Sequence, residues 1–317
     1  MLHILLLLFG FVLLVKGADY FVDGASNIAY LLKISPLIVG LTIVAFGTSA
    51  PELAVSLTAA LNGSNDIAIG NVVGSNIVNL LLVIGLSSLL KPLTVTKEML
   101  FKDYPYTIVA SLALLILSYD YLSGKTNELM LSRGDGLILL LFFIIYMYSL
   151  IKGVLTNTPE ENPNTKEKDI KVSKCILITI LGLIAIIWGG NLVVNNATAI
   201  ATSLGISETL IGLTIVAIGT SLPELVTSVV AAKRGESDIA LGNVVGSNIM
   251  NILLILGTSS SIHPITINIF SIYDMIILLL VSILFFIPIL ISKRVSKLTG
   301  ITMVVTYIIY TAYILIR

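Results

Sequence analysis

Ten apolar runs fill most of this chain, near residues 2–26, 36–61, 67–90, 104–119, 134–151, 175–201, 208–232, 239–261, 270–291 and 299–316. Crossing the hydrocarbon layer of a bilayer takes about 20 helical residues, fewer where tilt or partners help. In lipid the backbone has no water to bond to, so a spanning segment must be a helix or part of a closed barrel. Runs of this length read as helices. The expected fold is an all-α integral membrane protein with ten transmembrane helices. Composition agrees: 56% of the 317 residues are hydrophobic and 11% charged, where a soluble domain carries roughly 25% charged residues.

The first run, LHILLLLFGFVLLV, has the length of a signal-peptide core. It lacks a basic flank, and apolar character resumes after Lys16. It also shares a repeat with residues deep in the chain, described below, and therefore reads as a first helix. Net charge is zero, which gives no argument for nucleic acid. The single cysteine, Cys175, cannot close an internal disulfide and reads as a small buried hydrophobe.

One stretch occurs twice. Gly40–Asn79 and Gly212–Asn251 align without a gap, 172 positions apart, and 28 of the 40 positions are identical. Each copy contains GTSxPE followed by GNVVGSN. The same register relates Gly17–Ser35 to Gly189–Ser207. The first, second and third runs therefore match the sixth, seventh and eighth. Residues 1–151 and 175–317 are expected as two five-helix halves, joined by a polar linker at 152–174. The linker, with TNTPEENPNTKEKD at its centre, is poor in apolar residues and reads as flexible.

Basic residues set the expected orientation. With both termini outside, fourteen Lys and Arg fall in cytoplasmic loops and the linker, against three on the external side. That is the bias of a cell-membrane protein with a cytoplasmic linker. Five crossings separate equivalent runs, so the two copies enter the membrane from opposite faces. Inverted repeats of this kind build many secondary transporters.

The repeated motif carries the chemistry. Glu52 and Glu224 lie inside apolar runs, where a carboxylate is costly and marks a functional site by default. Pro51 has no N–H for the carbonyl of Gly47, so the helix is expected to open there. Carbonyls near Ala45, Gly47 and Thr48 would lose their donors, and the hydroxyls of Thr48 and Ser49 lie within a turn of Glu52. Ala217, Gly219, Thr220, Ser221 and Glu224 repeat the arrangement. A packing kink alone would not call for a glutamate beside it twice. On the next run Asn71, Ser75 and Asn79 form one polar stripe, matched by Asn243, Ser247 and Asn251. Ser75, Asn79, Ser247 and Asn251 are read as ion ligands. For Asn71, Asn76, Asn243 and Asn248, hydrogen bonding between helices weighs equally with an ion role. Every donor is oxygen, and neither copy contains His or Cys. That argues against zinc, copper and iron, and fits hard cations such as Ca²⁺ and Na⁺. Asp66 and Asp238 read as helix N-caps. Asp19 and Asp23 read as locally paired, with Lys16 three residues before Asp19.

GTSxPE and GNxxGSN, repeated around a polar linker, resemble the alpha-repeats of the cation/calcium exchanger superfamily. They are most similar to its sodium/calcium exchanger branch of prokaryotic type. The resemblance implies four ion positions at the midplane. It implies ligands at Ala45, Thr48, Ser49, Glu52, Ser75 and Asn79 in one half. In the other they are Ala217, Thr220, Ser221, Glu224, Ser247 and Asn251, with the alanines acting through their carbonyls. Members carry Asn or Asp at the positions of Asn79 and Asn251; two neutral residues here argue against a potassium-dependent variant. The implied activity is Na⁺/Ca²⁺ antiport by alternating access, with Ca²⁺ and Na⁺ as transported substrates and no cofactor. The bilayer is the expected environment, with no obligate protein partner. A proton/calcium exchanger on the same scaffold is the alternative. A cation channel fits an inverted repeat poorly, and a hydrolase lacks a nucleophile–base set.

Overall fold

A computed structural model describes residues 2–119, 129–156, 172–205 and 217–316. Among the described residues, eight helices are long and apolar enough to cross a membrane. They are α1 (Leu2–Leu31), α4 (Asn65–Leu90), α5 (Met99–Ser118), α6 (Arg133–Leu155), α7 (Val172–Ser203), α10 (Ser237–Ile262), α11 (Ile269–Ser292) and α12 (Lys297–Ile316). A ninth crossing is the broken pair α2 (Pro36–Thr48) and α3 (Ala50–Leu61), which bend by 49° at Ser49. The expected run at 208–232 is described only from α8 (Ala217–Thr220) through α9 (Leu222–Arg234); residues 206–216 lie outside the described residues. Most of the linker, 157–171, does too, while the helices flanking it extend to Thr156 and from Val172.

Local sequence explains the ends. Ser35 accepts the N–H of Leu37, and Pro36 occupies the first turn of α2, where its missing N–H costs nothing. Asn268 caps α11 through Ser271. Gly235 ends α9 in the left-handed region at φ 89°. Two small strand pairs interrupt the all-helical expectation. β1 (Leu93–Thr94) pairs with β4 (Arg294–Val295), and β2 (Met130–Leu131) with β3 (Ile265–Thr266), both antiparallel. Each joins loops from the two halves of the chain.

The core is α4 and α10: 72% and 94% of their most apolar windows are buried, against 11% for α12. Leu137, Ile144, Ile308 and Ile309 on α6 and α12 are exposed, as lipid-facing residues are. α1 and α7 pack antiparallel along a glycine seam. A side chain on Gly182 would lie 2.6 Å from the backbone nitrogen of Phe21, and one on Gly17 would lie 2.9 Å from the carbonyl of Gly182. Gly10 and Gly189 make the same approach one heptad further along. Small residues are what let transmembrane helices approach at this distance.

Several expectations are corrected. Asp66 and Asp238 are not N-caps. Ser64 and Glu236 hold those positions, and each Asp sits one residue inside its helix. Asp66 instead accepts from Asn268 at 2.7 Å. Asp19 and Asp23 pair with Arg234 of α9, at 3.0 and 3.3 Å. The two carboxylates lie one turn apart on α1, so one guanidinium reaches both. Cys175 is buried, as the apolar residues around it suggest.

Candidate ion-binding site

The break in α2–α3 falls where Pro51 predicts it, with Ser49 out of helical geometry at ψ 6°. Ser221 takes the same conformation, ψ 7°, before Pro223. Ser49 still donates its N–H to the carbonyl of Ala45 at 3.0 Å, and the hydroxyl of Thr48 points to that carbonyl at 3.3 Å. The expectation that Ala45 loses its donors is therefore wrong. Proline removes only its own N–H, and the helix stays intact up to Ser49. The carbonyl deprived of its i+4 donor is that of Gly47. Ala217 opens the short helix α8 at the equivalent place.

The break turns the first residues of α3 and α9 toward α4 and α10. Glu52 and Glu224 are both fully buried. Glu224 Oε1 accepts from Ser49 at 3.0 Å and from Ser247 at 3.4 Å, so three of the expected residues from both halves meet at one oxygen. Thr48 donates to Asn243 at 2.9 Å and Thr220 to Asn71 at 3.3 Å. Asn71 in turn donates to Ser56 and to the carbonyl of Glu52, as Asn243 does to Ser228 and the carbonyl of Glu224. The asparagine at the second position of each GNVVGSN motif thus ties its helix to the glutamate-bearing helix, and its amide oxygen reaches the other half.

Seven oxygens of the expected ligand residues are buried with no hydrogen-bond partner: Glu52 Oε1 and Oε2, Ser75 Oγ, Asn79 Oδ1, Ser221 Oγ, Glu224 Oε2 and Asn251 Oδ1. Leaving a buried polar group unpaired costs about 1–3 kcal/mol, more when it is charged. A set this large on one group of residues is unusual, since the great majority of buried polar atoms in folded proteins are paired. All seven are oxygens, and two of the residues are carboxylates. Such a set suits a hard cation; Ca²⁺ takes six to eight oxygen ligands. Among the described residues no group of three His, Cys, Asp or Glu side chains that could hold a metal ion occurs, so hydroxyl and amide oxygens make up most of this set. The α1–α7 pair lies over both breaks. Leu183 of α7 approaches Gly47, and Val194 of α7 approaches Gly219.

Sequence reasoning had no means to find Asn248 and Asn76 as partners of each other. Asn76 donates to the carbonyl of Asn248 at 3.1 Å, and Asn248 to the carbonyl of Asn76 at 3.2 Å. Their equal spacing in the motif was the available signal, but which helices would meet was not.

Comparison with known proteins adds the following. The profile of the sodium/calcium exchanger protein family matches residues 2–152 and 174–316. The sodium/calcium exchanger MaX1 of Methanosarcina acetivorans is 34% identical over 340 residues, covering 97% of each chain. Inner membrane protein YrbG of Escherichia coli (strain K12) is 38% identical over 290 residues, covering 88% of this chain and 86% of its own. A solved structure of the sodium-calcium exchanger NCX_Mj, soaked with Na⁺ and Sr²⁺, superposes with a TM-score of 0.85. It is 34% identical and covers 98% of both chains.

Proposed function

The chain belongs to the sodium/calcium exchanger protein family, and from that premise we propose that it exchanges Na⁺ for Ca²⁺ across a cell membrane by alternating access. On this reading ten helices form two inverted five-helix repeats. The linker is cytoplasmic and both termini are external. The transported ions bind between Ala45, Thr48, Ser49, Glu52, Ser75 and Asn79 of one repeat and Ala217, Thr220, Ser221, Glu224, Ser247 and Asn251 of the other. The observation that carries the reading is that these residues hold seven of the thirteen unpartnered buried oxygens among the described residues.

The mechanism follows from charge. Glu52 and Glu224 bring two negative charges into a buried site. One Ca²⁺ neutralises both, and Na⁺ ions compete for the same oxygens. A site without cations keeps two carboxylates in low dielectric, which is the costly state to carry across. Exchange becomes obligatory when only loaded states change sides. The break at Ser49 and Ser221 belongs to helices fixed to α4 and α10 by Asn71 and Asn243. α1 and α7 carry no ligand. They are joined along their glycine seam and would move as one body over the site, exposing it to each side in turn.

The test is the driving gradient. Purified protein in proteoliposomes should take up ⁴⁵Ca²⁺ when Na⁺ is trapped inside, and not when an equal proton gradient replaces it. Uptake driven by the proton gradient without Na⁺ would establish the proton-coupled alternative. Single-channel currents would overturn exchange altogether.

A further inference from the structure

The third residue of each GSN triplet is fully buried, yet its side chain leaves no atom over for an ion. Asn76 donates its amide to the backbone carbonyl of Asn248 and accepts at Oδ1 from Asn251 Nδ2, at 3.0 Å. Asn248 donates its amide to the backbone carbonyl of Asn76 and accepts at Oδ1 from Asn79 Nδ2, at 3.1 Å. Four side chains and two carbonyls thus close a two-fold network where α4 crosses α10.

The network has a direction, and backbone chemistry sets it. A carbonyl can only accept, so the group that Asn76 presents to Asn248 must be its NH₂. That leaves Asn76 Oδ1 facing Asn251, and Asn251 must answer with its own NH₂. The Oδ1 of Asn251 is then turned the other way. The same chain of constraints runs from the carbonyl of Asn76 through Asn248 to Asn79. Asn79 Oδ1 and Asn251 Oδ1 are two of the buried oxygens without a protein partner. Asn251 lies one turn beyond Ser247, whose hydroxyl reaches Glu224. An amide rotated by 180° would present NH₂ to a cation there. We propose that Asn76 and Asn248 are positioning residues that lock the amides of Asn251 and Asn79, respectively, with their oxygens toward the cation site.

The assignment is crossed, and that makes it testable apart from a general packing role. Asn76→Ala removes the lock on Asn251 alone, because Asn248 bonds the backbone of residue 76 and not its side chain. An aspartate in place of Asn251 has oxygen on both branches and needs no lock. The inference rests on the reading of these residues as cation ligands, so the readout is Ca²⁺ binding to the purified full-length protein by titration calorimetry. Asn76→Ala should weaken Ca²⁺ binding roughly 10-fold or more, the usual effect of removing a group that orients a metal ligand. In an Asn251→Asp background the same Asn76→Ala change should cost nothing. In an Asn79→Asp background the loss should persist. Asn248→Ala should behave in mirror image, rescued by Asn79→Asp and not by Asn251→Asp. If the alanine variant does not fold, Asn76→Ser carries the same cycle. A loss that survives Asn251→Asp, or that both aspartates relieve equally, overturns the proposal while leaving the ion site standing. A wild type that binds neither Ca²⁺ nor Na⁺ sinks both readings together.

Discussion

Glu52 and Glu224 stand at equivalent positions of the repeat, and both are fully buried, but they do not have equivalent surroundings. Glu224 accepts from Ser49 and Ser247, whereas the equivalent Ser221 faces Glu52 without closing a hydrogen bond, and the hydroxyl of Ser75 has no partner. The two ends of the α1–α7 pair differ in the same sense. α1 packs along α9, and Arg234 clamps it there through Asp19 and Asp23. No comparable packing joins α7 to α3, where the equivalent residues are the neutral Asn62, Asn191 and Asn195. The two copies thus share their backbone geometry at the break and differ in the hydrogen bonds at the glutamates and in what packs beside them. At the Arg234 end α1 is held against α9 by both ion pairs.

Neutralising either glutamate should have the largest effect, and the same effect, despite their unequal partners. Glu52→Gln and Glu224→Gln should each lower Ca²⁺ flux about 100-fold or more, the scale of losing one member of a buried charge set. Flux into proteoliposomes, with thermal unfolding as the fold control, is the measurement. If one variant kept near-normal exchange, the two half-sites would not be functionally paired.

The glycine seam comes next. Gly182→Leu drives a side chain into the backbone of α1, and Gly190→Ala meets nothing closer than Leu14 at 3.9 Å. The first should cost about 3 kcal/mol or more, the top of the usual overpacking range. The second should leave the unfolding midpoint in detergent almost unmoved. Equal tolerance at both positions would mean that α1 and α7 are not held as one body.

Arg234→Gln should act on the balance between the two ends and spare the site. Its ion pairs are partly exposed, with side chains 34% to 51% accessible. Each pair contributes about 0–1 kcal/mol. Removing both should lower the population in which α1 is held against α9 about 3- to 10-fold at low salt. High salt should mimic the variant. Labelling of a cysteine introduced beneath that end would read the shift, and an unchanged labelling rate would make the clamp irrelevant to the asymmetry. The smallest effect is expected from shortening Glu160–Lys168, which should leave flux unchanged. A loss of flux in folded protein would bring the linker into the mechanism.

Much of the fold was legible because lipid leaves a chain few choices. Apolar length marked the spans, and Pro51, lacking its N–H, marked the break that the structure places at Ser49. Other readings failed for want of a third dimension. Asp19 and Asp23 found their cation more than 200 residues away, where only helix packing could bring it. The strand pairs between loops of opposite halves were also out of reach, since two residues of backbone pairing leave no trace in side-chain pattern. Wider helical turns at Val78–Val83 and Asn251–Leu256, which contain Asn79 and Asn251, left no signal either.

The sequence by itself determined which residues could serve a cation, because an oxygen-bearing side chain repeated inside an apolar run has few other uses. It also determined that there are two such sets. Only the tertiary structure decided that the sets meet, that Ser49 of one half bonds Glu224 of the other, and that Asn76 answers Asn251 and not its own neighbour. The reason is physical. Burial cost is a property of each residue and is written locally, whereas a hydrogen bond between helices depends on where two backbones cross, which the packing of the whole bundle sets.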